Sequence, residues 1–174
     1  AATNALECRS HAMSAEWPFL IALNERLHPL RDAVEIQAAA VQLIGEHLQA
    51  SRVNYSQIEG NEFIVRQSYG RTVPPLAGRR HLTQFGKAIF DEGLRGETVV
   101  VTDVRTDLRF TEPDRAQLLA NGIAAFVGVP LTKDGRWVAA FAVDSDTPRQ
   151  WSRDQIALIE IVADRAWSAG ERAR

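Results

Sequence analysis

Cysteine is nearly absent: the 174 residues include one, Cys8. No disulfide can form within the chain, and a cysteine-rich metal site is excluded. So little cysteine suits a reducing, cytoplasmic setting. No apolar run approaches the ~20 residues that a bilayer span needs, and the N-terminus lacks the charged-then-apolar pattern of a secretion signal. An excess of one charge is missing too. Lys plus Arg number 20 against 22 for Asp plus Glu, a formal net charge of −2, which argues against nucleic acid as the main partner. The histidines His11, His28, His47 and His81 show no metal-ligand spacing, and no phosphate loop of the Gly-x-x-x-x-Gly-Lys type occurs. The tryptophans Trp17, Trp137, Trp151 and Trp167 are scattered over separate elements, which suits packing rather than a stacking platform for bases.

What is present is enough to build a core. Hydrophobic residues make up 45% and charged residues 24%, the proportions of a globular domain rather than a disordered chain. A chain of this length can bury roughly 70% of its unfolded surface without a disulfide or metal. Residues 1–12 have no helical or strand period and are expected to be an unstructured or non-native tail. Residues 13–174 are expected to be one domain.

The periodicity changes along the chain. Leu20, Leu23 and Leu27 follow seam spacing on a helix over 13–28. A second helix runs from Asp32 to Gln49, with Asp32 and Glu35 at its start and two apolar stripes, Val34-Ala38-Val41-Leu48 and Ile36-Ala40-Leu43. From Arg52 the period becomes two. Val53-Tyr55-Gln57 alternate with Asn54-Ser56-Ile58, Gly60-Asn61 make a turn, and Phe63 to Tyr69 continue as a second strand. Residues 71–78 hold two prolines and read as loop.

A helix over 84–94 and a short β-branched strand over 98–101 follow. Thr111-Glu112-Pro113-Asp114 open another helix, which Asn121-Gly122 stop. Residues 123–132 and 136–143 form a hairpin through Lys133-Asp134-Gly135. Ser152 and Gln155 box the start of a last helix, whose Ile159, Ala163, Ala166 and Gly170 form a second seam. Hairpins with helices at both chain ends imply an antiparallel sheet in an α+β domain. The two leucine and small-residue seams predict a homodimer through the first and last helices.

Four stretches in this order resemble the GAF domain, the small-molecule sensor module of bacterial signalling proteins. They are LAGRRHLTQFG (76–86), GETVVVTDVRTDLRF (96–110), GIAAFVGVPLTKDGRWVAAFAV (122–143) and PRQWSRDQIALIEIVADRAW (148–167). Their wording is similar to that of GAF domains upstream of histidine kinase cores. The resemblance implies a six-stranded antiparallel sheet of GAF/PAS-like form. The terminal helices would cover one face, and short helices and loops would cover a ligand pocket on the other. It also implies a downstream kinase or other output domain as partner.

Some members of this family use cysteine, as free methionine sulfoxide reductases or bilin photoreceptors. Here the pocket loops contain none and Cys8 lies in the tail, so no covalent bilin, no other cofactor and no thiol chemistry are expected. Cyclic-nucleotide-binding relatives carry an Asn-Lys signature that Phe90-Asp91-Glu92 lack. The resemblance places Tyr55, Phe85, Asp103, Arg109 and Phe126 at the pocket. Two readings stay open for each group. Asp103 and Arg109 either grip an anionic ligand or compensate one another in an exposed loop. Tyr55, Phe85 and Phe126 either wall a pocket or fill a solid core.

Asp144 and Asp146 either hold a metal or close a strand end, and the cluster Arg79-Arg80-His81 is too small for a nucleic-acid site. The functional expectation is a non-enzymatic sensory domain of a signal-transduction protein. The alternatives are a pocket enzyme on a small metabolite, disfavoured because no nucleophile–base pair stands out, and a dimerisation module with no ligand.

Overall fold

Residues 16–172 are described in the computed structural model. Residues 16–27 are helical (α1), and α2 spans Ala33–Leu48, where Asp32 accepts hydrogen bonds from the Val34 and Glu35 amides at 2.7 and 3.2 Å. Six strands follow in one antiparallel sheet: β1 (Arg52–Glu59), β2 (Glu62–Gly70), β3 (Arg79–His81), β4 (Val99–Val101), β5 (Ala125–Lys133) and β6 (Arg136–Ser145). Helices α3 (Lys87–Leu94) and α4 (Glu112–Ala120) lie between β3 and β5, and α5 (Arg153–Arg172) closes the chain. The spatial order is β3-β2-β1-β6-β5-β4. Among the described residues no helix is long and apolar enough to cross a membrane.

Local chemistry explains the ends of these elements. Asp134 and Gly135 both take positive φ, 53° and 73°, as the two-residue turn between β5 and β6 requires. Thr111 and Asp114 exchange capping bonds at the start of α4, and Ser152 and Gln155 do the same for α5. Each box satisfies amides that a helix start leaves without partners.

The period-two alternation of the central strands divides the sheet into two chemistries. Val53 and Tyr55 of β1, Val127 and Leu131 of β5, and Phe141 and Val143 of β6 face α1, α2 and α5 in the main core. The opposite face carries a smaller cluster of Val99, Val101, Val104, Phe110, Leu118, Ile123 and Phe126, covered by α3, α4 and the loops.

Three local expectations are corrected. The sixth strand, β3, falls where the sequence reads as the start of a basic cluster, because three residues show no period. The buried stripe of α2 is Ile36, Ala40, Val41, Ile44 and Leu48, and Val34 is exposed. Leu20, Leu23, Ile159, Ala163 and Ala166 are all buried in this chain's own core rather than held at a seam for a second copy. The helices cross over one another as well as over the sheet, so both stripes find cover within one chain: α2 packs on α5, and Asn24 of α1 accepts a hydrogen bond from Arg165 of α5.

Candidate functional site

Between the second face of the sheet and its thin cover lies a cavity of about 110 Å³. Its walls are mostly apolar: Val65 from β2, Leu76 from the proline-rich loop, Phe85 and Ile89 from the α3 region, Leu118 from α4 and Phe126 from β5. Small residues make the room. Gly128, Ala140 and Ala142 form the floor, where larger side chains on the same register would fill it. Trp137 walls the cavity beside Gly93, and Phe63 meets the Trp137 ring edge-on at 5.4 Å between centroids.

One end of the cavity is polar and buried. Arg52 and Asp144, with 2% and 4% of their side chains exposed, pair at 3.0 Å. Asn54 also donates to the same Asp144 oxygen, at 3.2 Å, and accepts from the Ser68 hydroxyl at 2.7 Å. The rest of the Arg52 guanidinium reaches the cover, donating to the carbonyls of Pro74 at 3.2 Å and Asn121 at 2.9 Å. Burial pushes the Asp144 carboxyl up from its ordinary value, while Arg52 and Asn54 pull it down. Arg80 enters from β3, and its Nη1 reaches Asn121 Oδ1 at 3.4 Å.

The sequence matches the GAF domain family over residues 32–169, most of the chain and all six strands. The chain belongs to the GAF family. A comparison with curated proteins finds no significant match. Solved GAF structures share the fold. The GAF domain of a phosphoenolpyruvate-protein phosphotransferase from Coxiella burnetii aligns with TM-score 0.72 and 15% identity, over 94% of this chain and 96% of that one. A phycoerythrobilin-bound GAF domain from a cyanobacterial phytochrome gives 0.77 and 14%, over 91% and 95%. A free methionine-R-sulfoxide reductase from Neisseria meningitidis, in complex with its substrate, gives 0.70 and 18%, over 87% and 86%.

Of the residues expected at the pocket of this GAF domain, Phe85 and Phe126 line the cavity. Tyr55 does not. It is fully buried on the opposite, helix-facing side, because its strand register turns Asn54 and Ser56 toward the cavity instead. Asp103 and Arg109 are also absent from the cavity wall and serve the loop itself. Asp103 accepts from the Arg105 amide at 3.0 Å. Arg109, with 36% of its side chain exposed, pairs with Asp107 at 2.7 Å and Glu92 at 3.2 Å and donates to the Val100 carbonyl at 2.7 Å. The Arg109 hydrogen bonds hold the Asp107 carboxyl below its ordinary value, with burial opposing them.

Asp144 and Asp146 are not a metal pair. Asp144 is engaged by Arg52, Asp146 accepts from the Ser51 hydroxyl at 3.0 Å, and no group of potential ligands gathers among the described residues. Cys8 and His11 lie outside the described residues. The residues missed from sequence are Arg52, Asn54 and Arg80. A signal for them existed in the alternation of β1, where polar Asn54 and Ser56 interleave with Val53 and Tyr55 on a strand paired at both edges.

Proposed function

We propose that this GAF domain senses a small molecule in the cavity and passes the change to an output domain through its N- and C-terminal helices. One observation carries the reading: Arg52 ties both covers of the cavity, at Pro74 and Asn121, to the sheet at Asp144. A ligand that displaces either cover pulls on Arg52. The adjacent residues on the two strands, Val53 and Val143, belong to the core beneath α2 and α5, so a shift of these strands reaches the helices directly. Trp151, at the entry to α5, donates to the Val101 carbonyl at 3.0 Å and adds a second link from the cavity side.

The motif resemblance supports a bacterial signal-transduction protein with a histidine kinase as the output, and the scarcity of cysteine supports a cytoplasmic setting. A homodimer through the terminal helices is part of the same proposal. Trp17 and Ile21, one turn apart on α1 and 60% and 44% exposed, supply an outer face for that contact.

The domain is read as binding rather than catalytic. Among the described residues neither cysteine nor histidine lines the cavity, so no thiol or imidazole stands there as nucleophile or base. A tetrapyrrole, several times the size of a benzene, does not fit these residues, whose cavity is about 110 Å³. Hydrogen exchange of the domain, with and without a compound recovered by native mass spectrometry or a fragment screen, tests the proposal. Binding is expected to slow exchange in α3 and α4 and to change it in α5. If no compound binds, or α1 and α5 never respond to one that does, the sensory reading fails. In the full-length protein the same compound is expected to alter autophosphorylation.

A further inference from the structure

Alternation along β3 sends its two arginines to opposite faces. Arg79 is exposed and paired with Glu62 at 2.9 Å and Glu59 at 3.5 Å. Arg80 turns inward and lines the cavity. Its Nε is buried and meets no acceptor, and its hydrogen bond to Asn121 Oδ1 is a long 3.4 Å. Asn121 holds that oxygen in place by donating its own amide to the Gln117 carbonyl at 2.8 Å. No carboxylate among the described residues pairs with Arg80. The one acid on the cavity wall, Asp144, is already engaged by Arg52 and Asn54. The cavity therefore carries one positive charge without a partner, set against apolar walls. A buried guanidinium N–H with no acceptor is costly, and a carboxylate oxygen is the acceptor that satisfies it best.

We infer that the ligand of this cavity is a small monocarboxylate with a compact apolar body, its carboxylate held by Arg80. This rests on the sensory reading above and names the chemistry of its ligand. Size sets the upper bound. A cavity of about 110 Å³ takes about four to six non-hydrogen atoms, by comparison with the engineered cavity that binds benzene. A branched short-chain acid of isobutyrate dimensions fits, and a nucleotide does not. Charge sets the second bound. An amino acid would bring an ammonium group to a wall whose single carboxylate is already neutralised by Arg52, so a simple acid is selected over a zwitterion.

Isobutyrate, isobutyramide, valine and benzene serve as probes for titration of the chain. The readouts are the NMR signals of the Arg80 Nε–H and the Trp137 indole N–H. Isobutyrate is expected to shift both signals saturably, and isobutyramide and valine to bind at least tenfold more weakly. Arg80→Gln is expected to weaken isobutyrate at least tenfold while leaving benzene affinity unchanged, which also shows that the variant is folded. Arg80→Lys keeps the charge and is expected to retain part of the affinity, and it replaces the Gln variant if that one unfolds. Equal binding of the acid and its amide, or acid binding that survives loss of Arg80, overturns the carboxylate assignment and leaves the cavity reading standing. If no probe, benzene included, reaches the Trp137 signal, the cavity reading falls with it.

Discussion

Arg52 and Asp144 face each other at 3.0 Å across neighbouring strands, both almost wholly buried. The pair is expensive to bury and more expensive to break. Asp144→Ala leaves a desolvated guanidinium without its anion, so a loss of about 3–5 kcal/mol is expected. Replacing both partners by apolar residues (Arg52→Met with Asp144→Leu) removes the charge problem, and is expected to cost less than either single change. Urea unfolding of the two single variants and the double variant forms the cycle that checks this. Additive losses would show that the two side chains act independently.

Gly93 is a matter of space rather than of backbone. A Cβ there would stand 2.5 Å from the Trp137 ring, which walls the cavity and donates to the Ala139 carbonyl at 2.9 Å. Gly93→Ala is therefore expected to lower stability by about 1–3 kcal/mol through overpacking, despite the better helix propensity of alanine. It is also expected to displace the indole, read as a changed Trp137 emission or NMR signal. An unchanged indole signal together with higher stability would contradict the packing described.

Element identity was legible from sequence wherever periodicity or turn chemistry was strong. The β5–β6 hairpin, with its Asp134-Gly135 turn, and the capped starts of α4 and α5 stand as read. The failures share a cause: the pattern showed that residues alternate, but not which way each face points. On β1 both faces are covered, so alternation alone did not show that Tyr55, expected at the pocket, faces the helices while Asn54 and Ser56 face the cavity. Arg109 offered a cation in a pocket-bordering loop. The nearby acids Asp107 and Glu92 absorb it, whereas Arg80, which the sequence offers only as part of a basic cluster too small for nucleic acid, pairs with no acid among the described residues. Which cation remains unpaired is a property of the packed structure and cannot be read from spacing.

The Arg109 loop should reveal itself in acid. Arg109 keeps the Asp107 carboxyl below its ordinary value, so the folded state resists protonating it. That stability is fully present above the unfolded carboxylate value of about 3.9 and disappears as pH falls through the lower folded value. Arg109→Gln is thus expected to lose about 1 kcal/mol or less at neutral pH, the pair being partly exposed to screening water. The difference from the parent should shrink toward zero below that lower value. Denaturation midpoints across a pH series measure this. A gap that persists unchanged into strong acid would mean that Arg109 acts through packing alone.

The terminal helices separate a core role from a dimer role. Ala166 on α5 is fully buried in the main core, so Ala166→Glu forces a carboxylate into apolar surroundings and is expected to unfold the domain rather than yield a folded monomer. Trp17 lies outside that core with most of its surface exposed. Trp17→Glu is expected to change stability by less than about 0.5 kcal/mol and, if two copies meet through α1, to convert dimer to monomer. Light scattering reads the mass and circular dichroism the fold. A monomeric parent at tens of micromolar, the range of weak association, would remove the helix-borne dimer from the signalling scheme. So would a Trp17→Glu variant that stays dimeric. In either case the cavity would remain a binding site whose change must leave the domain through the end of α5 alone.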